Sequence, residues 1–295
     1  MTYWIGLLGL LIGLFSPAVG ALFVISAAGR YFVENPKQIN SFFTCWFIIC
    51  GFLMFIYNIQ ALDLIFGAGL SCLLFFYMIK KEYGLNLIFM SLLLLNSAFI
   101  AIRQLLYSTF IATQYTESVD EVVNMLSNRF QESSEQYLLF LEMVEMSKDF
   151  YLKYSPGIWI FTMLLCLMLG YYFLSKKSKE LVSLRYYQTH LYVIYSLILA
   201  LVIAVFSEDY RIYAINYLIA LVPLFLMQGL AVLKFKIGKW FENSKILLVI
   251  AILSLILNPY IVLFISVIGL FDNWFDFRSL SKPEDLNESN TNGNP

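Results

Sequence analysis

Hydrophobic residues make up 60% of the 295-residue chain and charged residues only 13%, far more apolar surface than a water-soluble chain of this length can bury. That balance excludes a soluble domain, and a net charge of −1 at pH 7 gives no electrostatic reason to expect nucleic acid. The apolar runs are solid, with no polar–apolar alternation, which excludes a membrane β-barrel and leaves an all-α, polytopic transmembrane helical bundle.

Eight apolar blocks follow one another, at about 3–28, 41–57, 61–79, 84–112, 156–175, 191–206, 213–233 and 246–271. A proline interrupts the first at Ser16-Pro17 and the last at Asn258-Pro259. About eight spans are therefore expected, rising to ten if both interrupted blocks are hairpins rather than kinked single helices. Met1-Thr2-Tyr3-Trp4 carries no basic residue, which argues against a cleaved signal peptide. Gly6, Gly9, Gly13 and Gly20 leave one face of the first block smooth, and Gly9-x-x-x-Gly13 suits close helix packing. Cys45, Cys50, Cys72 and Cys166 sit in apolar blocks without CxxC spacing and read as small hydrophobes.

Between the fourth and fifth blocks lies one long connector. Ser118-Val-Asp-Glu121 has the spacing of a capping box. After it, Val119, Val122, Val123, Leu126, Phe130, Tyr137, Leu141 and Val144 form a stripe at helical spacing, opposite Asp120, Glu121, Glu132, Glu135, Glu142 and Glu145. One or two surface helices across the mouth of the bundle are expected here, with a gating lid or partner-docking arm as the sharper reading. The connectors holding Arg30 and Lys37, Lys80 and Lys81, Lys176 to Arg185, and Lys234 to Lys245 share one side and most of the Lys and Arg, which makes that side cytoplasmic and the long connector extracytoplasmic. The chain thus divides into N-terminal transmembrane helices (1–113), an extracytoplasmic acidic amphipathic helical segment (114–155), C-terminal transmembrane helices (156–280) and a disordered acidic tail (281–295).

Catalytic constellations are missing from the sequence. There is a single histidine, His190, and no HExxH, Walker A or GxGxxG run, so no catalytic or metal-ligating set and no cofactor are expected, and the chain does not read as an enzyme. What stands out instead are polar residues inside apolar blocks, which are costly unless paired. Asp63, Asn96, Arg103, Asn216 and Gln228 are candidates of this kind. For each amide the plain alternative is interhelical hydrogen bonding, and for Asp63 a water-exposed carboxylate at the interface. Asp272 and Asp276 are four apart, so a continuing helix puts both on one face, with Arg278 following at the membrane edge. One acid is expected either to be solvated there or to pair with a base of a neighbouring connector such as Arg185 or Lys239.

Asn216 with Pro223, the run Gln228-Gly229-Leu230-Ala231-Val232, and Gly269-Leu-Phe-Asp-Asn-Trp-Phe-Asp-Phe-Arg278 resemble the YybS-like family of bacterial membrane proteins of unknown function. No motif of that family precedes about residue 155. The general look is similar to substrate-binding S subunits of energy-coupling-factor transporters and to MreD-like cell-envelope scaffold subunits. The resemblance implies an inner-membrane transport or solute-binding subunit, or alternatively a non-transporting scaffold. In either case its contacts are membrane lipid and other membrane or cytoplasmic subunits.

Overall fold

Pro17 turns the first apolar block back on itself. Ser16 is extended (φ −150°, ψ 101°), and Pro17 opens a new helix, where its missing N–H has no rung to break. Helix α1 (Thr2–Phe15) therefore packs beside α2 (Pro17–Phe23) as a hairpin. Only glycines permit the approach: a Cβ on Gly20 would stand 2.7 Å from the Cα of Gly13 and 2.8 Å from the carbonyl oxygen of Gly9. A π-helical stretch, Val24–Ala28, leads into α3 (Gly29–Glu34).

The computed structural model describes residues 2–35, 37–57, 59–127, 135–177, 181, 186–243 and 258–279, and among these every regular element is helical. After α4 (Lys37–Tyr57) and α5 (Ile59–Leu62), a second π-helical stretch, Asp63–Gly69, continues into α6 (Leu70–Lys80). Then come α7 (Leu85–Ser127), α8 (Glu135–Lys177), α9 (Leu191–Phe206), α10 (Arg211–Asn243) and α11 (Pro259–Phe275). Lys37–Met54, Ile59–Lys80, Leu85–Met125, Glu135–Lys176 and Arg211–Lys236 are long and apolar enough to cross a membrane, and Pro17–Ala28, Leu191–Phe206 and Pro259–Phe275 are shorter apolar helices. At the last block Asn258 is extended and caps α11, its side-chain oxygen accepting the Tyr260 N–H at 3.0 Å. Residues 244–257, on which the choice between hairpin and kink depends, lie outside the described residues, as does the tail 281–295.

Aromatic rings fill much of the core. Phe32, Phe42, Phe43, Trp46 and Phe76 form one buried cluster, and Phe89 makes edge contacts with Tyr171 and Tyr187. The basic connectors gather at one end. A hollow of about 270 Å³ is lined by Phe32, Val33 and Ile39 from the first, Lys80 and Glu82 from the second, and Leu181 from the third. Lys176 and Lys234 both reach the Tyr172 ring, at 4.5 and 5.8 Å, which adds the fourth connector.

From the opposite end the chain departs from the expected surface layer. Helices α7 and α8 have 43 residues each, about 64 Å of helix, roughly twice the hydrocarbon thickness of a bilayer. They run on together beyond the apolar bundle as an antiparallel arm, α7 unbroken through residues 114–127 and α8 through 135–155. Ser118 caps nothing: it lies inside α7 and its hydroxyl donates to the Gln114 carbonyl at 2.9 Å, because amides in a running helix already have partners four residues back. Of the expected stripe, Val119, Val123, Leu141 and Val144 are half-buried and Tyr137 is buried, but Val122 is exposed. Phe130, Glu132 and the Leu126 side chain lie outside the described residues. Tyr115 stacks on Tyr151 at 4.1 Å and ties the two helices where the arm begins.

Candidate functional site

Asp63 is the first residue of the second π-helical stretch, a distortion often found at functional positions. It does not have the water-exposed place that its position early in an apolar block suggests. Arg103, from α7, reaches it with two parallel bonds, Nε to Oδ1 at 2.6 Å and Nη2 to Oδ2 at 2.9 Å. Asp63 is buried and Arg103 nearly so, and a pair of this geometry is stable out of water only because each charge satisfies the other. The wider π turn brings Gly67 under Trp159 of α8, where a Cβ would meet the indole at 2.7 Å, and Trp159 packs on Phe99 of α7. Asn96, seven residues from Arg103 on α7, is fully buried; its amide nitrogen donates to Ser71 Oγ at 3.0 Å and to the Leu92 carbonyl at 2.8 Å.

Asn216 repairs a neighbouring helix. Pro156 lies inside α8 and disturbs its hydrogen-bond ladder. The Asn216 side-chain oxygen accepts the Gly157 N–H at 2.7 Å, and its nitrogen donates to the Lys153 carbonyl at 2.9 Å. The amide thus spans the two groups of the rung just past the proline. A Cβ at position 157 would stand 2.6 Å from the Asn216 carbonyl, so glycine is needed for the approach.

Twelve residues further along α10, about 18 Å, a second polar cluster surrounds Gln228, which is fully buried. Its oxygen accepts the Thr189 N–H at 2.9 Å and also the Thr189 hydroxyl; its nitrogen donates to Asp272 Oδ2 at 3.0 Å. The same carboxylate oxygen accepts Arg278 Nε at 3.0 Å and Nη2 at 2.6 Å. Asp272 Oδ1 is buried without a hydrogen-bond partner among the described residues. The glycines place this network: at the crossing of α10 and α11 a Cβ on Gly229 would stand 1.9 Å from the Ile265 carbonyl oxygen, and one on Gly269 2.0 Å from that of Phe225.

This end of the chain corrects two expectations. Asp276 does not share a helical face with Asp272, because α11 stops at Phe275 and Asp276 takes the left-handed C-terminal conformation (φ 42°, ψ 54°). Arg278 is not free to meet lipid phosphates; the turn folds it back six residues onto Asp272, where it is buried. Arg185 and the Lys239 side chain, considered as partners for these acids, lie outside the described residues. His190 caps α9, its Nδ1 accepting the Tyr192 N–H at 3.4 Å. Of the cysteines, Cys45 is exposed and the other three are buried.

The polar groups in the bundle are therefore engaged with one another at separate levels. The arm differs. On α8, Leu139, Met143, Met146 and Phe150 are all exposed, and their four-three-four spacing puts them in a single line along the helix. This is a second seam, distinct from the half-buried one facing α7. Glu135, Glu142, Glu145 and Asp149 are exposed beside it, which makes hydrocarbon a costly medium for this part of α8. Lys153 donates to Asp149 at 2.5 Å, which holds the Lys153 pKa above the usual lysine value. The spacing of the seam is visible in the sequence, but it is masked there by the overlapping inner stripe.

No curated protein and no solved structure matches the chain. A family model does, over residues 2–273, which takes in the N-terminal helices and ends just short of Asp276 and Arg278. The chain belongs to the family described as "Predicted membrane protein (DUF2232)".

Proposed function

We propose that this protein is a membrane-embedded scaffold subunit that carries out no covalent chemistry and docks another protein on its α7–α8 arm. The observation that carries this reading is the exposed line Leu139, Met143, Met146 and Phe150 on a helix too acidic to enter the bilayer. Apolar side chains held in water along one helix face mark an interaction surface. The basic connectors at the other end of the molecule support an extracytoplasmic arm in the cytoplasmic membrane. Photo-crosslinking tests it. A photoreactive residue at Met143 in intact cells should give a discrete protein adduct, whereas one at Leu105, on the lipid-facing side of α7, should give lipid adducts only. Lipid adducts alone at both positions would overturn the docking reading.

Solute binding, in the manner of a transporter subunit, has one observation in its favour. The second π-helical stretch begins at the buried Asp63 of the Asp63–Arg103 pair and packs on α2, which opens at the break at Ser16-Pro17, and interrupted spans often flank substrate sites. A small molecule seen with the purified protein by native mass spectrometry, and lost in Asp63→Asn, would favour this alternative.

A further inference from the structure

We infer that the partner of the arm is a basic amphipathic helix, an assignment that rests on the docking reading above. In heptad register Met143 and Phe150 take the a positions and Leu139 and Met146 the d positions. Glu135, Glu142 and Asp149 then fall seven residues apart at g, the row bordering the seam. All three g positions are acidic and exposed. Asp149 is already bonded to Lys153, whereas Glu135 and Glu142, with Glu145 close by at c, form no ion pair among the described residues. On the other flank the e positions are Phe140 and Ser147, which carry no charge.

Flanking charge decides which helix such a seam accepts. A partner with apolar residues on its own seam and Lys or Arg on the bordering row would cover Leu139, Met143, Met146 and Phe150 and neutralise the g acids together. A second copy of this arm offers Phe140 and Ser147 opposite those acids, so its apolar contact would come without charge pairing. Anionic lipid is opposed by the acid row itself. The two methionines add tolerance, since their unbranched side chains repack against varied partner surfaces. Electrostatic matching of this kind also speeds encounter and makes binding sensitive to salt.

The test uses the full-length protein in phosphatidylcholine nanodiscs and two fluorescent three-heptad peptides. Both have leucine at a and d; one has lysine on the bordering rows and the other glutamate. Fluorescence anisotropy should show the lysine peptide binding at least about tenfold more tightly, with the preference weakening as salt is raised. The double variant Glu142→Lys, Glu145→Lys should invert the preference. Met143→Ser with Met146→Ser should weaken the lysine peptide about tenfold or more while hydrogen exchange in the arm stays unchanged. Equal binding of the two peptides, or binding of neither to an arm that exchange shows to be folded, overturns the assignment. So does a disulfide-linked homodimer formed by Met143→Cys in a Cys45→Ser background, which would give the seam to a second copy and leave the docking reading standing. The docking reading itself fails separately, if Met143 crosslinks only to lipid in cells.

Discussion

Leu94, Leu105 and Leu106 on the lower part of α7 are 66%, 84% and 68% exposed, and Met143 and Met146 on the arm of α8 are 65% and 67% exposed. The numbers match, yet the two sets have opposite meanings. The α7 leucines lie on a long apolar run where the surrounding medium is hydrocarbon, so their exposure costs nothing. The methionines lie among Glu142, Glu145 and Asp149, acids that belong in water, so on the docking reading their exposure is a standing cost that a partner would remove. The polar groups reverse the pattern. In the bundle they are paired and hold helices together, while on the arm they are solvated and leave the helix pair marginal. Stability should therefore reside in the bundle and recognition in the arm.

The largest expected effect comes from breaking the ion pair of the bundle. Arg103→Leu leaves the Asp63 carboxylate buried and unpaired, and removing one member of such a pair costs about 3–5 kcal/mol. A drop of that size in unfolding free energy in detergent is expected, and the double variant Asp63→Leu, Arg103→Leu should recover most of it. If Arg103→Leu unfolds like the parent protein, the pair is solvated and the contrast with the arm fails.

How this division appears in the sequence depends on the range of the physics involved. The blocks are legible because hydrophobicity is a local property, and Ser16-Pro17 marks an interruption, but the choice between hairpin and kink rests on the packing of Gly20 against Gly9 and Gly13, which the sequence leaves open. Asp63 and Arg103 are forty residues apart, and their meeting depends on the rotation of α6 and α7, which a π-helical stretch alters without any local sequence marker. Pro156 announces a damaged rung in α8, but nothing near it says that Asn216 fills the gap. The stop after Phe275 relies on an aspartate in the left-handed region, a place where glycine is the usual signal, so the sequence by itself predicts a continuing helix. On the arm, two seams share one helix, and the inner one, with Tyr137, Leu141 and Val144, dominates the periodicity.

A smaller effect is expected at the other polar cluster. Asp272→Asn removes the charge that Arg278 and Gln228 share but keeps the shape and an acceptor, so about 1.5–3 kcal/mol should be lost, the scale of a hydrogen bond to a charged group. The solvated Glu142→Gln on the arm is the matching control and should be neutral within about 0.5 kcal/mol. Equal losses in the two variants would mean that burial of Asp272 contributes nothing.

Asn216→Ala ranks below these. It leaves the Lys153 carbonyl and the Gly157 N–H without their bridge, at about 1–3 kcal/mol if water cannot enter. The site lies where the arm joins the bundle, which makes hydrogen exchange the sharper readout. Faster exchange confined to α8 around Gly157 is expected, with α9 unaffected. Unchanged exchange at Gly157 would show that its amide is satisfied within α8 despite the proline.

The smallest effect on stability should be the most informative about function. Leu139→Ser, Met143→Ser, Met146→Ser and Phe150→Ser each replace a side chain that is already more than half exposed, so little burial is lost and each should change unfolding free energy by no more than about 0.5 kcal/mol. Serine lowers helix propensity slightly, which accounts for a few tenths of that in every case. A lipid-facing seam would respond differently, because a hydroxyl placed in hydrocarbon needs a partner and moves the helix to find one. Thermal unfolding of the four variants in nanodiscs therefore separates the two environments without knowledge of any partner. Near-parental melting together with lost peptide binding would place the seam in water and in use. A clear loss of stability at Met143 and Met146 would place it against lipid, and the arm would then belong to the bundle after all.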